Sequence, residues 1–331
     1  MSRNLKQLGH SNFEFCKCLE KIYMYPSDDV FKMLYKDKEL RNKIEIITET
    51  TLLPTEKRLI DHGGWATYEI DEYSEDGKKY QHCPSYYVDN EQIKEGVEII
   101  CDDSFNSLYD ETDGYFLNSC HLVIPSTVRY IGQNVFDGAP ESILNKSPYF
   151  LVENDMLLSC DKKILYRYFG KEQEVNIPDY IEEIIGGAFS SMEMSSITIP
   201  TSVRSIGDNP VVNNIIYEED KTIPCKVISL SDRFITNDGI LVDSEQGRLI
   251  AYFGDDDEYI ITDGIKSIGN NAFFGSNIRT IHLPNSIGCI EETAFYWCFK
   301  LEHIFIPKGS KYDFSKILPK YLEDRIIELD F

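Results

Sequence analysis

The sequence has no run of about 18 apolar residues, the length that a membrane-crossing helix requires. Its opening, MSRNLKQLGHSNFEF, lacks the continuous apolar segment of a signal peptide. The expectation is therefore a cytosolic protein, or a product whose export signal has been removed. Basic residues are scarce: 33 Lys and Arg stand against 56 Asp and Glu, a formal net charge of −23. The deficit is uneven, since residues 1–80 hold 13 basic and 15 acidic side chains, whereas residues 81–331 hold 20 and 41, a net of −21. A surface this acidic repels nucleic-acid phosphates and anionic lipid, which argues against nucleic acid and membrane insertion as partners. Catalytic signatures are missing as well. There is no G-x-x-x-x-G-K-[ST], no G-x-S-x-G, no H-E-x-x-H and no EF-hand loop. The reading is a protein that is not an enzyme and carries no cofactor.

Nine cysteines, an odd number, make no disulfide framework in a chain this long. Cys16-Lys17-Cys18 looks like half a metal site without a matching pair, and Cys298, between Trp297 and Phe299, reads as a small buried hydrophobe. Asp255-Asp256-Asp257-Glu258 lacks the spaced glycine of a Ca²⁺ loop and reads as a solvated acidic turn. Asn145-Lys146-Ser147 is a glycosylation sequon followed by Pro148, and is discounted. Of six histidines, His121, His282 and His303 fall at outward strand positions, but no third and fourth ligands accompany them for zinc.

What is present is a period. From Ile261 to Pro307 the chain repeats itself, with Thr262, Pro284 and Pro307 at one equivalent position, 22 and then 23 residues apart. An apolar string precedes each proline: Ile278, Ile281 and Leu283, then Leu301, Ile304 and Ile306. After the position come a turn, an aliphatic pair (Ile265 and Ile268, then Ile287 and Ile290) and Ala-Phe (Ala272-Phe273, then Ala294-Phe295). Residues two apart share one face of a strand, so Ile281 and Leu283 point the same way, and a proline suits a strand end. A fixed period of 20–50 residues is the mark of a stacked solenoid, in which neighbours cover each other's apolar faces. This is a leucine-rich repeat pattern.

The pattern extends backward through IKEGVEIICDDSF (Ile93 to Phe105) and LVIPSTVRYIGQNVF (Leu122 to Phe136), 31 residues apart rather than 22 because SLYDETDGYFLNSC carries an insertion. A longer block, YFLVENDMLLSCDKKILYRYFG followed by two repeats, recurs as RFITNDGILVDSEQGRLIAYFG and its two repeats, at an offset of 83 and then 84. Each block starts as a β-hairpin, with Asn-Asp, Asp-Lys-Lys and Asn-Asp-Gly supplying reversals. Between the blocks, NPVVNNIIYEEDKTIPCKVISLS is irregular and its frame is not readable. Residues 1–50 read as a partial repeat plus helix. NFEFCKCLEKIYM lies over AFYWCFKLEHIFI at a constant offset of 282, and Ser27, Asp28 and Asp29 make a good helix start. Residues 51–86 are irregular, with one expected hairpin between ATYEIDEY and KKYQHC around Glu75-Asp76-Gly77, and His62-Gly63-Gly64-Trp65 as a loop. Residues 87–312 form the array and residues 313–331 a C-terminal cap.

The frames IPxxVxxIGxxAF and xLxxIxIP, with interspersed hairpins, resemble the BspA-like leucine-rich repeat proteins. The carriers are Val128, Ile131, Gly132 and Phe136; Pro178, Ile181, Ile184, Ala188 and Phe189; and Pro284, Ile287, Ile290, Ala294 and Phe295. The resemblance implies a leucine-rich repeat solenoid of the α/β horseshoe-like class. It would be β-dominated, with little helix on the convex side, β-hairpin insertions and a short helical N-terminal region. It also implies adhesion or partner binding, in a family whose members are often on the bacterial surface or secreted, with no catalytic residues to carry over. The expected function is a non-enzymatic protein–protein interaction module acting as a monomer, with a surface glycan-binding or structural scaffold protein as the alternative.

Counting back from each proline-equivalent position gives two outward columns on the sheet. Two back stand Val123, Asn176, Thr198, Ile260, His282 and Phe305; four back stand His121, Glu174, Ser196, Glu258, Thr280 and His303. Ile260, Arg279, His282, His303 and Phe305 thus gather near the C-terminal end as a candidate site for a protein partner, aromatic and Arg groups being the usual interface anchors. The competing expectation is that residues 308–331 fold back and bury Phe305. The cysteine reading has a direct check: adding a reducing agent leaves the melting temperature unchanged, and a drop of several degrees would overturn it.

Overall fold

The strand-forming strings before each proline-equivalent position stack as parallel strands one coil apart. A computed structural model describes residues 22–24, 44–46, 51–52, 57–61, 66–70, 72–83, 93–105, 121–136, 140–190, 192, 194–211, 214–216, 221–223 and 225–329. Together they make a β-solenoid of about 10 turns, β-dominated and with little helix. Each regular coil has a front strand, a turn opening at the proline position, a two-residue back strand, and a second turn through Ala-Phe. Front strands Glu174–Asn176, Ser196–Ile199 and Lys226–Ser229 form one parallel sheet. Glu258–Ile260, Thr280–His282, His303–Pro307 and Ile326–Leu329 form another. His121–Ile124 pairs with Ser142–Asn145 in a third. The 31-residue frame shift is visible on the back, where Ile99 lies opposite Tyr130 and Ile100 opposite Ile131.

The recurring longer units are three-stranded antiparallel meanders, two hairpins each rather than one: Phe150–Glu153, Met156–Ser159 and Ile164–Tyr168, then Phe234–Asn237, Ile240–Asp243 and Arg248–Tyr252. Asn154 and Asp155 turn the first with φ of 50° and 56°. The last strand of each meander takes a back-strand place, Leu165 pairing with Ile184 and Leu249 with Ile268. The frame that the sequence left unreadable is settled by Ile197 pairing with Val227 and Ile199 with Ser229, which makes Leu230 the equivalent of Pro200. The added length is an antiparallel pair, Asn214–Ile216 with Lys221–Ile223.

Aromatic side chains stack along the solenoid axis at the Ala-Phe position. Tyr80, Phe105 and Phe136 are 5.2 and 5.9 Å apart, and Tyr168 and Phe189 are 5.8 Å apart. Tyr252, Phe273 and Phe295 follow at 5.2 and 5.0 Å. The tyrosines come from the meanders and the first coil, so these units join the same column. Around it the aliphatic pairs are buried, Ile184, Ile268, Ile281 and Ile304 among them.

Five of the back strands end in a left-handed turn. Three residues after Ile100, Ile131, Ile184, Ile206 and Ile268 stand Asp103, Asn134, Gly187, Asn209 and Asn271, with φ between 29° and 70°. Asn, Asp and Gly tolerate this region best, which explains their recurrence. The glycine of the IG pair has a different cause. A Cβ on Gly132 would lie 2.2 Å from Asp102 Oδ1, and one on Gly207 2.3 Å from Gly186 N, so the neighbouring coil occupies the space. Where the meander interrupts the back ladder, side chains bridge the gap: Arg248 donates to Asp208 (2.5 Å), Asn270 to Asp208 (3.1 Å) and Asn209 to the Asn271 carbonyl (2.6 Å).

The reversal expected around Glu75-Asp76-Gly77 forms as a short antiparallel pairing, in which Tyr73 bridges Tyr80, the Ser74 N–H donates to the Lys79 carbonyl (3.1 Å) and the Gln81 N–H to the Glu72 carbonyl (2.8 Å). Its first arm is shorter than the string ATYEIDEY, because Ala66–Ile70 pairs antiparallel with the upstream Lys57–Asp61. His62 to Trp65, the inserted segment 106–120, Cys16-Lys17-Cys18 and the helix expected from Ser27 lie outside the described residues. Of the N-terminal copy, Ile22–Met24 and Ile44–Ile46 are described; Ile22 pairs with Ile44 as Ile304 does with Ile326, both at the offset of 282. At the C-terminus, Lys311–Phe314 forms one helical turn and Lys320–Arg325 a 3₁₀ helix, burying Phe314, Leu318 and Leu322 against the last coils.

Phe295→Ala removes a ring stacked on Phe273 and is expected to cost about 3–5 kcal/mol. Hydrogen exchange should show protection lost first in the last two coils; uniform loss over residues 93–329 would contradict a nearest-neighbour stack. A second expectation concerns acid. Burial raises the Asp243 carboxyl, but hydrogen bonds from Arg233 (2.7 and 3.1 Å) and from the Glu245 and Gln246 N–H groups outweigh it and hold it below the usual carboxylate range. A depressed pKa contributes stability that is present above the unfolded value of about 3.9 and lost as pH falls through the folded one. Asp243→Asn should therefore lower the melting temperature at pH 7, with the difference from wild type shrinking as pH falls below about 3.9 and vanishing below the folded-state pKa. A difference that persists in acid would remove the carboxylate from the account.

Candidate interaction surface

Strand alternation turns every second side chain of a front strand outward, and parallel register lines these up from coil to coil. The column two residues before the proline position is continuous within each sheet. Ile260 lies opposite His282, His282 opposite Phe305, and Phe305 opposite Ile327. Val123 lies opposite Leu144, and Asn176, Thr198 and Ile228 follow one another. The second column brings together Glu258, Thr280 and His303. All the positions expected to face outward are exposed or half-buried.

The C-terminal sheet carries the densest part of this face. Ile260 is 62% exposed. The His282 ring lies 4.8 Å from Phe305, and its Nε2–H donates to Glu258 across 2.6 Å. The His303 ring lies 6.0 Å from that of Phe305. Arg279 stands at the strand entrance, with Nη1 3.0 Å from Glu302 and Nε 3.8 Å from Asp257. Both pairs are exposed, and such pairs contribute about 0–1 kcal/mol, so the guanidinium can change partners at little cost. The structure thus groups Ile260, His282, His303 and Phe305 on one face, with Arg279 at its edge.

The competing expectation for Phe305 is half met. The chain does turn back after Pro307, but it adds a strand, Ile326–Leu329, beside the sheet rather than covering its face. Phe305 becomes half-buried between two neighbours, and the column gains Ile327. Leu144, Ile228 and Ile327 were not legible as members because no proline follows them; their positions show only through the pairing register.

His121 belongs to another part of the face, where Nδ1 meets Ser142 Oγ at 2.8 Å. Among the described residues no three His, Cys, Asp or Glu side chains converge as metal ligands. Residues 255–258 are exposed, and Asp256 accepts a hydrogen bond from the Tyr252 hydroxyl (3.1 Å). Cys298 is buried, its Sγ donates to the Phe273 carbonyl (2.9 Å), and burial pushes the thiol up to about 11. It serves packing, as expected of a small hydrophobe. The six described cysteines form no disulfide. Asn145 spends its amide on the Ser147 and Phe150 carbonyls. Among the described residues, no helix is long and apolar enough to cross a membrane.

Among solved structures, the chain is similar to a leucine rich cell surface protein from Faecalibacterium prausnitzii A2-165. The identity is 25%, 69% of this chain and 62% of that chain are covered, and the TM-score is 0.39. A leucine-rich repeat protein from Eubacterium ventriosum ATCC 27560 matches at 21% identity, over 66% of this chain and 54% of that one, with a TM-score of 0.37. The chain thus spans less than two thirds of either protein. The pneumococcal vaccine antigen PcpA matches at 17% identity, 75% and 67% coverage, and a TM-score of 0.33. No curated protein matches this sequence. The family profile described as "BspA type Leucine rich repeat region" matches in 6 copies over residues 162–239 and 256–319. The coils within these matched residues thus resemble BspA-type leucine-rich repeats.

Proposed function

We propose that this protein is a non-enzymatic interaction module that binds a protein partner on the front sheet of its C-terminal coils, through Ile260, Arg279, His282, His303 and Phe305. The observation that carries the reading is the outward ladder Ile260–His282–Phe305–Ile327, held in strand register with Ile260 largely exposed. The inward residues of the same strands already fill the core, so folding does not require apolar side chains on the outer face. Aromatic and Arg anchors within such a face are the groups that dominate interface energetics. The acidic array favours a basic partner by long-range attraction. In the BspA-like family, repeat arrays of this kind serve adhesion and partner binding, and an extracellular setting belongs to this reading.

The test compares wild type with a triple variant, Arg279→Ala, His282→Ala and Phe305→Ala, that keeps its circular dichroism spectrum. A partner recovered by cross-linking from native extract should bind the variant at least 30-fold more weakly, about the 2 kcal/mol of one hot spot. Equal affinity for the same partner would take the site off this face.

A further inference from the structure

The Ala-Phe turn of the last regular coil departs from its neighbours. In the preceding coil the chain reads Ala272-Phe273-Phe274-Gly275-Ser276-Asn277-Ile278; here it reads Ala294-Phe295-Tyr296-Trp297-Cys298-Phe299-Lys300-Leu301. The two remain in step at an offset of 22 through Cys298, whose Sγ lies 3.4 Å from Ser276 Oγ. One residue is then added, and Phe299 sits at the added place, 83% exposed. Trp297 occupies the position of Gly275. Both have the left-handed backbone, φ of 61° and 64°, that glycine adopts without strain and a bulky side chain does not.

The turn itself does not require the indole, because glycine makes the same turn one coil earlier. The buried Cys298 and the Ala-Phe pair already anchor the segment. What Trp297 adds is a strip of rings. It stacks on Phe274 at 5.7 Å and 21°, and lies 5.9 Å from Phe299. Strain at a tryptophan that only half-buries its ring, beside an added and exposed phenylalanine, is the signature of a binding position.

The chemistry of the strip narrows its ligand. Aromatic side chains bury about 150–250 Å² each when covered, and part of this area is already taken, so the strip offers a few hundred Å². A stable protein interface needs about 800 Å² per partner. The strip is one ring wide and is bracketed in the chain by the exposed Glu292 and Glu302, within an acidic array that repels polyanions. Apolar ring surface in a narrow strip, within an acidic array that turns polyanions away, suits the C–H faces of neutral sugar rings. We propose that Phe274, Trp297 and Phe299 form a stacking platform for a neutral oligosaccharide, separate from the front-sheet face and independent of its role.

Affinity electrophoresis tests this with wild type, Trp297→Gly and Phe299→Ala in gels containing a β-glucan, an α-glucan or a mannan. Wild type should be retarded by at least one polymer, and each variant should show an apparent Kd at least tenfold higher for it. Trp297→Gly should melt no lower than wild type, as relief of the strained turn requires. Phe299→Ala, at an exposed position, keeps the test valid whatever the first variant does. Absence of retardation in all three polymers would overturn the proposal, as would variants that bind like wild type. A melting temperature several degrees lower for Trp297→Gly would also overturn it, by making the indole a packing residue. Protein binding lost in these variants without any glycan retardation would point to an extension of the protein interface instead, and would likewise sink it.

Discussion

A single coil of this chain cannot cover its own apolar side, and the stacked column of rings is how that constraint is met. Phe295 on Phe273, and Phe273 on Tyr252, are contacts between consecutive coils rather than within one. Each ring pair contributes about 0.5–1.5 kcal/mol beyond area burial, and the aliphatic residues around it bury their area by the same neighbour-to-neighbour logic. The spacing of the whole solenoid is tied to this column. A meander can be inserted, and is inserted twice, only because Tyr168 and Tyr252 restore a ring at the axis before the chain rejoins the back ladder. The 83- and 84-residue offsets of the two blocks differ by one residue, yet both deliver a tyrosine to the same place, so the column tolerates length changes that leave its members in step.

Stacking at strand spacing imposes a second condition on the turns. Neighbouring backbones pass so closely that Gly132 and Gly207 have no room for a Cβ, and the residue two places on must adopt a left-handed backbone. Asn, Asp and Gly satisfy this at Asn134, Asn209, Asp103 and Gly187. The polar side chains in these turns then act across coils, as Asn209 does with Asn271 and Asp208 with Arg248 and Asn270. Back-ladder continuity across a meander is held by these side chains where strand pairing is interrupted. A residue pattern that looks like simple turn chemistry in the sequence is thus also a set of intercoil links.

The repeat frame was legible because apolar spacing of two, a proline or threonine at the strand end and Ala-Phe recur at a nearly constant interval. The outward column followed from the same count, and Ile260, His282 and Phe305 do stand in register. Frames without proline were not legible: Leu144, Ile228 and Ile327 belong to the column only through pairing. Nor did composition identify Tyr80, Tyr168 and Tyr252 as members of the ring column, since each precedes or replaces an Ala-Phe pair. The reversal at Asp76-Gly77 was legible from its local turn signal, whereas the pairing of Ala66–Ile70 with Lys57–Asp61 was not, because nothing in the intervening residues marks it as clearly.

In a repeat array the residues that keep the period are accounted for by stacking, so the departures carry the most information about function. The outward apolar ladder obeys the period in position but not in chemistry. Asn176, Thr198 and Ile228 occupy the column in the middle sheet, and Ile260, His282, Phe305 and Ile327 occupy it at the C-terminal end. Trp297 keeps the backbone geometry of Gly275 and changes the side chain, and Phe299 is the residue by which a period of 22 becomes 23. Both departures fall in the C-terminal coils, and Trp297 and Phe299 lie next to the segment that closes them. There the side chains meet neighbours of a different kind on one side, and the requirement to match the next identical coil is relaxed. The same loss of a repeating neighbour that obliges the chain to fold Phe314, Leu318 and Leu322 over the core also leaves outward positions at this end able to vary without disturbing the stack.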